Sequence, residues 1–492
     1  MTHPDAPESV AFATSQVHAG EHADAAFGAR ITPIYLSAGF RFDDFAQARD
    51  RFAGDDDGYV YTRAGNPTNA ALERKLAGLE RGRDAVVVAS GQAALTVAIL
   101  SVARAGDHVL SSQSVYSGTR SLFTQGFGRL GIEVEFVDDA HDLAEWRRRV
   151  RPNTRAFYAE SLANPTNELV DLAGVSAVAQ EVGVPFVVDN TLATPYLVRP
   201  AEHGADLVVH SASKFLAGHG SALGGVVVDA GTFDWSARPD AFPHLNEPDT
   251  GLHGRSYLEA YGSGAFTAYV RGVTAALFGP VLSPFNAFLI QQGIETLSLR
   301  VQRQSDTAAA VAAWLEAQHE VLQVNYAGLP SSPSHALAQR YLPRGRGAVL
   351  SFVLAGGEAS AARVFDAVEL FSRMSHIGDT RSLILHPAST THAHLDVATR
   401  ERGRISAGLL RLSIGLEEPD DLLRDLERGF AALRADAPVR ADAPVPADAP
   451  LRADAPVRAD APVRADAPPP VRDLAPALAA AAPIVGTEGS VR

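Results

Sequence analysis

Short apolar runs, each separated from the next by a segment of helical length, constrain this chain more than any other feature. They are Ala85-Val86-Val87-Val88, His108-Val109-Leu110, Val134-Glu135-Phe136-Val137, Ala156-Phe157-Tyr158, Pro185-Phe186-Val187-Val188 and Leu207-Val208-Val209. Segments between them, such as Leu172 to Gln180, carry a helical pattern. Such β–α alternation implies an α/β fold, a mostly parallel sheet with helices on both faces. Ligands of such sheets bind beyond the carboxyl ends of the strands, so the residues that follow each run matter most.

Other boundaries follow from the same pattern. The stretch Phe285 to Ala313 reads as one long helix opened by Ser283-Pro284, a cap and first-turn pair. A smaller α/β unit follows, with strands expected at Ala348 to Leu354 and Leu410 to Ile414. The first sixty residues lack periodicity and read as an arm that needs a surface, such as a neighbouring subunit. From about Arg434 to Pro468 the motif Ala-Asp-Ala-Pro-Val-Arg recurs with period six. Its prolines block helix and central strand, and it has too little apolar surface to offset ordering entropy. The expected organisation is an arm (1–60), a large domain (61–280), a small C-terminal domain with its linking helix (281–432) and a disordered tail (433–492).

Composition closes off several functions. The chain has no cysteine, which excludes disulfides, thiolate metal sites and cysteine nucleophiles. A formal net charge of −14 argues against nucleic acid as the main partner. No apolar run is long enough for a transmembrane helix, and no basic stretch leads into an apolar one at Met1-Thr2-His3-Pro4-Asp5. A cytoplasmic enzyme with no membrane partner is the expectation.

Of the 43 basic residues, only Lys75 and Lys214 are lysines. Guanidinium neither deprotonates nor condenses with an aldehyde, so a lysine retained among arginines is a candidate for amine chemistry. Lys75, in Glu73-Arg74-Lys75-Leu76, reads as part of a solvated helix face. Lys214 is different. The strand Leu207-Val208-Val209 runs into His210-Ser211-Ala212-Ser213-Lys214, then a glycine-rich loop and the strand Val226-Val227-Val228. Desolvation at a strand end lowers an amine's pKa and makes it a nucleophile, while Ser211 and Ser213 offer hydroxyls to a phosphate.

Further polar groups sit at comparable places. Asp189 ends the strand Pro185 to Val188, where a carboxylate needs a partner; a protonated pyridine nitrogen would serve, as would the cap of a following helix. Ser90-Gly91-Gln92 joins a strand to a helix whose N-terminus favours an anion. Tyr116 follows a strand and is placed to stack on an aromatic ring. Tyr61-Thr62-Arg63 pairs a phenol with a guanidinium suited to phosphate or carboxylate. Arg411 is a charge inside a candidate strand and calls for an anionic partner. His386 and His392 have the wrong spacing for one helix face, and no metal is expected.

Together these segments resemble the Cys/Met-metabolism family of pyridoxal phosphate (PLP) enzymes, of the aspartate-aminotransferase-like fold (fold type I), over roughly residues 12 to 431. The resemblance is carried best by Val187-Val188-Asp189-Asn190-Thr191 and Ser211-Ala212-Ser213-Lys214-Phe215. It implies that Lys214 is the Schiff-base lysine and proton shuttle, that Asp189 holds the pyridine nitrogen and that Tyr116 stacks on the ring. It gives Gly91, Gln92, Ser211 and Ser213 to the phosphate. Tyr61 and Arg63 would reach the cofactor of a neighbouring subunit, which implies a homodimer with shared active sites, assembled further into a tetramer. Asn164, in Ala163-Asn164-Pro165, would contact the cofactor hydroxyl or the substrate, and Arg411 the substrate α-carboxylate, with Ser375 a further substrate contact.

Two stretches, Phe242 to Asp249 with His253-Gly254, and Ile377 to His392, are similar to the branch of the family that carries out γ-replacement on O-acetyl-L-homoserine. Sulfide or another thiol would displace acetate and give L-homocysteine or its thioether. The neighbouring reactions are cystathionine γ-synthesis and sulfhydrylation of the O-succinyl ester. A γ-lyase is disfavoured, since methionine γ-lyases place a cysteine where this chain has Gly118. A non-catalytic PLP-fold binding protein would be expected to lack Lys214, Asp189 or Arg411.

Overall fold

A computed structural model describes residues 10–20 and 27–435 of the chain. Seven strands build the larger sheet: β1 (Asp84–Val88), β2 (His108–Ser112), β3 (Glu133–Val137), β4 (Thr154–Glu160), β5 (Phe186–Asp189), β6 (Leu207–Ser211) and β7 (Gly225–Asp229). Their order is β1-β7-β6-β5-β4-β2-β3. Strands β6, β5, β4, β2 and β3 are parallel, and β7 runs antiparallel to both of its neighbours. The alternating apolar runs thus form the expected mostly parallel sheet. Val188, Val208 and Val226 pack on one face, and Val187, Val209 and Val227 on the other, in two separate clusters. A sheet apolar on both faces must be covered on both, which is why the helices divide between them.

A second sheet contains β8 (Val321–Asn325), β9 (Val349–Leu354), β10 (Ser372–Arg373), β11 (Leu383–Leu385) and β12 (Leu409–Ser413), ordered β10-β11-β12-β9-β8. Both strands expected in the smaller unit are present. This sheet is mostly antiparallel, and its core packs under the helix Pro419–Ala435. That helix carries regular structure to Ala435, slightly beyond the boundary expected at 433. The repeat from 436 onward lies outside the described residues.

The single helix expected over 285–313 is instead two, Pro284–Ile294 and Leu297–Glu316. Pro284 opens the first as expected, but Ser283 makes no side-chain capping bond. Arg300 fixes the break. Its guanidinium donates to the carbonyls of Gly293 (2.6 Å) and Phe215 (2.9 Å), and its Nε to Thr296 Oγ1 (3.1 Å). A Cβ at position 293 would stand 2.2 Å from the Ala217 carbonyl oxygen. The interruption is therefore where the helix meets the loop that follows Lys214.

The arm is more ordered than its sequence suggests. Phe12–His18 is helical and Phe45–Ala53 is a second short helix, capped by Asp44 on the amide of Gln47. The first lies on its own chain: Phe12 packs against Tyr196, and Gln16 exchanges two 2.9 Å hydrogen bonds with Ser298. Lys75 corrects its expected place on a solvated face. It is 1% exposed, and its ammonium donates to the carbonyls of Gln16 (3.1 Å) and Val17 (2.9 Å). Those carbonyls end the helix Phe12–His18, where a cation is favoured. A helical pattern does not reveal that a distant segment will cover one of its faces.

Candidate active site

The carboxyl ends of β4, β5 and β6 carry Glu160, Asp189 and Ser211, and Lys214 follows in the loop after β6. Glu160 and Asp189 are register partners, so two carboxyls stand side by side. Asp189 Oδ1 accepts from the Thr191 amide at 2.8 Å. Burial raises the pKa of Asp189, against the pull of its Thr191 hydrogen bonds. Burial and the facing Asp189 push Glu160 well above the usual carboxylate range. Among the described residues no lysine or arginine pairs with either group. Two buried carboxyls side by side favour a cation set against Asp189.

Glu160 joins two of the expected site residues. Its Oε1 accepts from the Tyr116 amide at 2.6 Å and its Oε2 from the Asn164 amide at 3.2 Å. Asn164 Oδ1 in turn accepts from Arg411 Nη1 at 3.1 Å. Arg411 Nη2 donates to the His376 carbonyl at 3.0 Å, and His376 Nδ1 lies 2.9 Å from Lys214 Nζ. Tyr116, Asn164, Arg411 and Lys214 are thus gathered into one hydrogen-bonded chain. Burial, with Arg411 adding to it, lowers the Lys214 amine from its ordinary 10.5 to about 8.

Arg411 projects from β12 and is 3% exposed. Its Nε has no hydrogen-bond partner among the described residues, and burial brings the guanidinium down to about 10. A buried cation that meets, among the described residues, an amide oxygen and a carbonyl retains strong capacity for an anion.

The phosphate candidates divide. The helix Gly91–Leu100 starts against the end of β6, with Ser90 Oγ capping the Ala93 amide. A Cβ at Gly91 would stand 2.5 Å from Ser211 Cβ, so only glycine allows this approach. The amides of Gly91 and Gln92, in the first turn, have no carbonyl within the helix to bond. Ser211 lies beside them, held through its amide by Thr191 Oγ1 at 2.8 Å. Ser213 is engaged otherwise: its hydroxyl donates to the Gly224 carbonyl (3.2 Å) and accepts from the Gly224 amide (3.0 Å). In this arrangement it has no proton to offer a phosphate. Gln92 donates to the Gly118 carbonyl at 3.0 Å, which ties the helix start to the Tyr116 turn.

Tyr61, Arg63 and Ser375 make none of the contacts described so far. Tyr61 is half exposed, and Arg63 lies 5.8 Å from its ring centroid. The Arg63 guanidinium donates to the Ala276 carbonyl. Ser375 is exposed; its neighbour His376 is the residue that meets the lysine. Both nitrogens of His386 are engaged within the fold, by Ser389 Oγ (2.7 Å) and the Ala407 carbonyl (2.8 Å).

Glu160, His376 and Arg300 were not evident from sequence. Glu160 had a signal, since it ends an apolar strand just as Asp189 does. His376 lies in an aperiodic loop and Arg300 in a helix, where nothing local marks them.

Comparison with known proteins identifies the family. The model of a family described as Cys/Met metabolism PLP-dependent enzyme matches residues 13–431. The chain is 45% identical to an O-acetyl-L-homoserine sulfhydrylase of Corynebacterium glutamicum, covering 86% of this chain and 97% of that protein. It is 41% identical to a homocysteine synthase of Schizosaccharomyces pombe, covering 85% and 97%. Among solved structures it is similar to a Campylobacter jejuni protein assigned as an O-acetylhomoserine (thiol)-lyase, with TM-score 0.81 and 34% identity over 85% of this chain and 99% of that one. That structure carries a pyridoxyl-lysine phosphate. A cystathionine γ-lyase of Lactobacillus plantarum has TM-score 0.74 and 32% identity, over 86% and 100% of the two chains.

Proposed function

This chain belongs to the Cys/Met metabolism PLP-dependent enzymes, and from that premise we propose that it carries out γ-replacement on O-acetyl-L-homoserine. Sulfide or another thiol takes the place of acetate, and the product is L-homocysteine or its thioether. The single observation that carries this reading is Arg411, a buried guanidinium with an open Nε, two hydrogen bonds away from Lys214. It is the place for an amino acid's α-carboxylate beside an amine that acts as a base near neutrality. The choice of the acetyl ester is supported by relatives named for that substrate.

The pocket suits PLP. Lys214 is the residue for its aldehyde and Asp189 the partner for its ring nitrogen, while Tyr116 covers its face. Gly91, Gln92 and Ser211 are assigned to its phosphate, with Ser213 joining them once its hydroxyl leaves Gly224. Bound PLP supplies an electron sink for negative charge at the substrate's reacting carbons. Arg411 anchors the carboxylate, Asn164 orients Arg411, and Ser375 borders the substrate. Neutral Lys214 takes the α-proton and later returns it.

The working unit is a homodimer, paired further into a tetramer. This is supported by Tyr61 and Arg63, which are exposed, and by Phe27, Leu36, Phe45 and Phe52, all large, apolar and exposed along the arm. In that assembly Tyr61 and Arg63 serve the partner's site. As an enzyme of small-molecule biosynthesis it is assigned to the cytoplasm.

The test is a steady-state matrix of O-acetyl- and O-succinyl-homoserine against sulfide, methanethiol and cysteine. Highest kcat/KM for the acetyl ester with sulfide or methanethiol is expected. A strong preference for the succinyl ester with cysteine would replace this reading with cystathionine γ-synthesis.

A further inference from the structure

Glu160 is 5% exposed and ends β4 beside Asp189 at the end of β5. Its two oxygens serve different residues, Oε1 the amide of Tyr116 and Oε2 the amide of Asn164. These two amides belong to loops that follow different strands, β2 and β4. One loop brings the ring that covers the coenzyme and the other the amide that orients Arg411. A carboxylate is the side chain that accepts on both oxygens; an amide would turn an NH2 toward one of the two N–H donors. We propose that Glu160 is a positioning residue of this site: its single carboxylate sets the placement of both Tyr116 and Asn164, and its negative charge adds to that of Asp189 beside the coenzyme.

The charged and titratable groups around it fit this role. Asp189 faces it, with Tyr158 and His210 acting on Asp189. Arg411 stands beyond Asn164, and Lys214 beyond Arg411 and His376. Two adjacent carboxyls in the interior are costly unless a cation lies against them. A protonated ring nitrogen is such a cation, and binding it lets both groups carry charge. Glu160 therefore favours the protonated form of the bound coenzyme, which is the better electron sink.

The proposal rests on the reading above for the identity of the coenzyme and for the roles of Tyr116 and Asn164. Full-length holoenzyme is compared with E160Q and E160D. One readout is the pH at which the visible absorbance of the bound coenzyme changes, the other is KM against kcat. Removing the charge in E160Q disfavours protonation nearby, so the transition moves to lower pH, by on the order of one unit. E160D keeps the charge but is a methylene too short for both amides. Its transition stays at the wild-type pH while kcat/KM for the amino-acid substrate falls about tenfold, the scale of one hydrogen bond lost to a charged group. An unshifted transition together with wild-type kcat/KM in E160Q overturns the proposal. Should E160Q fail to fold, wild-type kcat/KM in E160D overturns it instead. If the wild type turns over no acyl-homoserine, the substrate assignment fails, and the spectral shift still judges Glu160.

Discussion

Lys214 Nζ lies 2.9 Å from His376 Nδ1. Burial, then Arg411, brings the amine to about 8; burial, then the charge of Lys214, brings the imidazole to about 4. Of the two, the lysine holds the proton at neutral pH. The imidazole accepts at Nδ1, so its own proton sits on Nε2, which is buried without a partner among the described residues. A reactive amine is thereby held by an acceptor that does not compete for its proton.

The first consequence is a pH dependence. Covalent capture of PLP needs the neutral amine, whose population grows as pH rises through about 8 rather than 10.5. The capture rate of the cofactor-free enzyme, followed by absorbance, should climb with pH, pass its half-maximum near 8 and level off about one to two units above that. A rate still rising steeply beyond pH 9.5 would contradict the lowered amine.

Removing the imidazole tests the hold itself. H376A should lose about tenfold in kcat, the worth of one hydrogen bond of roughly 1.4 kcal/mol, and H376N should recover part of it. Equal rates in wild type and H376A would mean that the contact does not guide the amine.

Lys214 should be indispensable. In K214A the protein should retain its fold but show no turnover and no borohydride-fixed pyridoxyl adduct, read by mass spectrometry. An adduct elsewhere in the chain, or normal turnover, would remove Lys214 from the centre of the reaction.

For Arg411 the expected effects diverge. R411M removes the proposed carboxylate anchor and should raise KM for the amino-acid substrate about 100-fold, an interaction of roughly 3 kcal/mol. It also removes a buried cation that lacks a carboxylate partner, so the cofactor-free variant should melt no lower than wild type. A wild-type KM would move the carboxylate site elsewhere.

Lys75 should matter for stability alone. K75M withdraws the ammonium from the carbonyls of Gln16 and Val17 and should destabilise the arm helix by about 1–3 kcal/mol. Faster proteolysis near residues 12–20 with kcat unchanged is the expected result. Unaltered cleavage would assign the hold on this helix to Phe12 and Gln16.

Much of the site was legible because strand ends are local features. The runs ending near Val188 and Val209 predict where Asp189 and Lys214 emerge, and a carboxylate or amine at such a place needs a partner. The same logic reaches Glu160, since the run Ala156-Phe157-Tyr158 extends to it. It does not reach His376, because loop residues carry no period to read. The expected helix over 285–313 illustrates the opposite failure: its pattern is continuous, but Arg300 and the close approach at Gly293 divide it.

By itself, then, the sequence determined the layered α/β fold and the strand ends where Asp189 and Lys214, the two groups proposed at the centre of the chemistry, emerge, because alternation of apolar and polar residues is a local record of burial. Tertiary structure alone decided that Asn164 meets Arg411 across 247 residues and that His376 meets Lys214 across 162. It also decided that Lys75 is buried beneath the arm rather than exposed. Side-chain partners at such separations depend on which segments arrive together in the folded chain, and no periodicity records that.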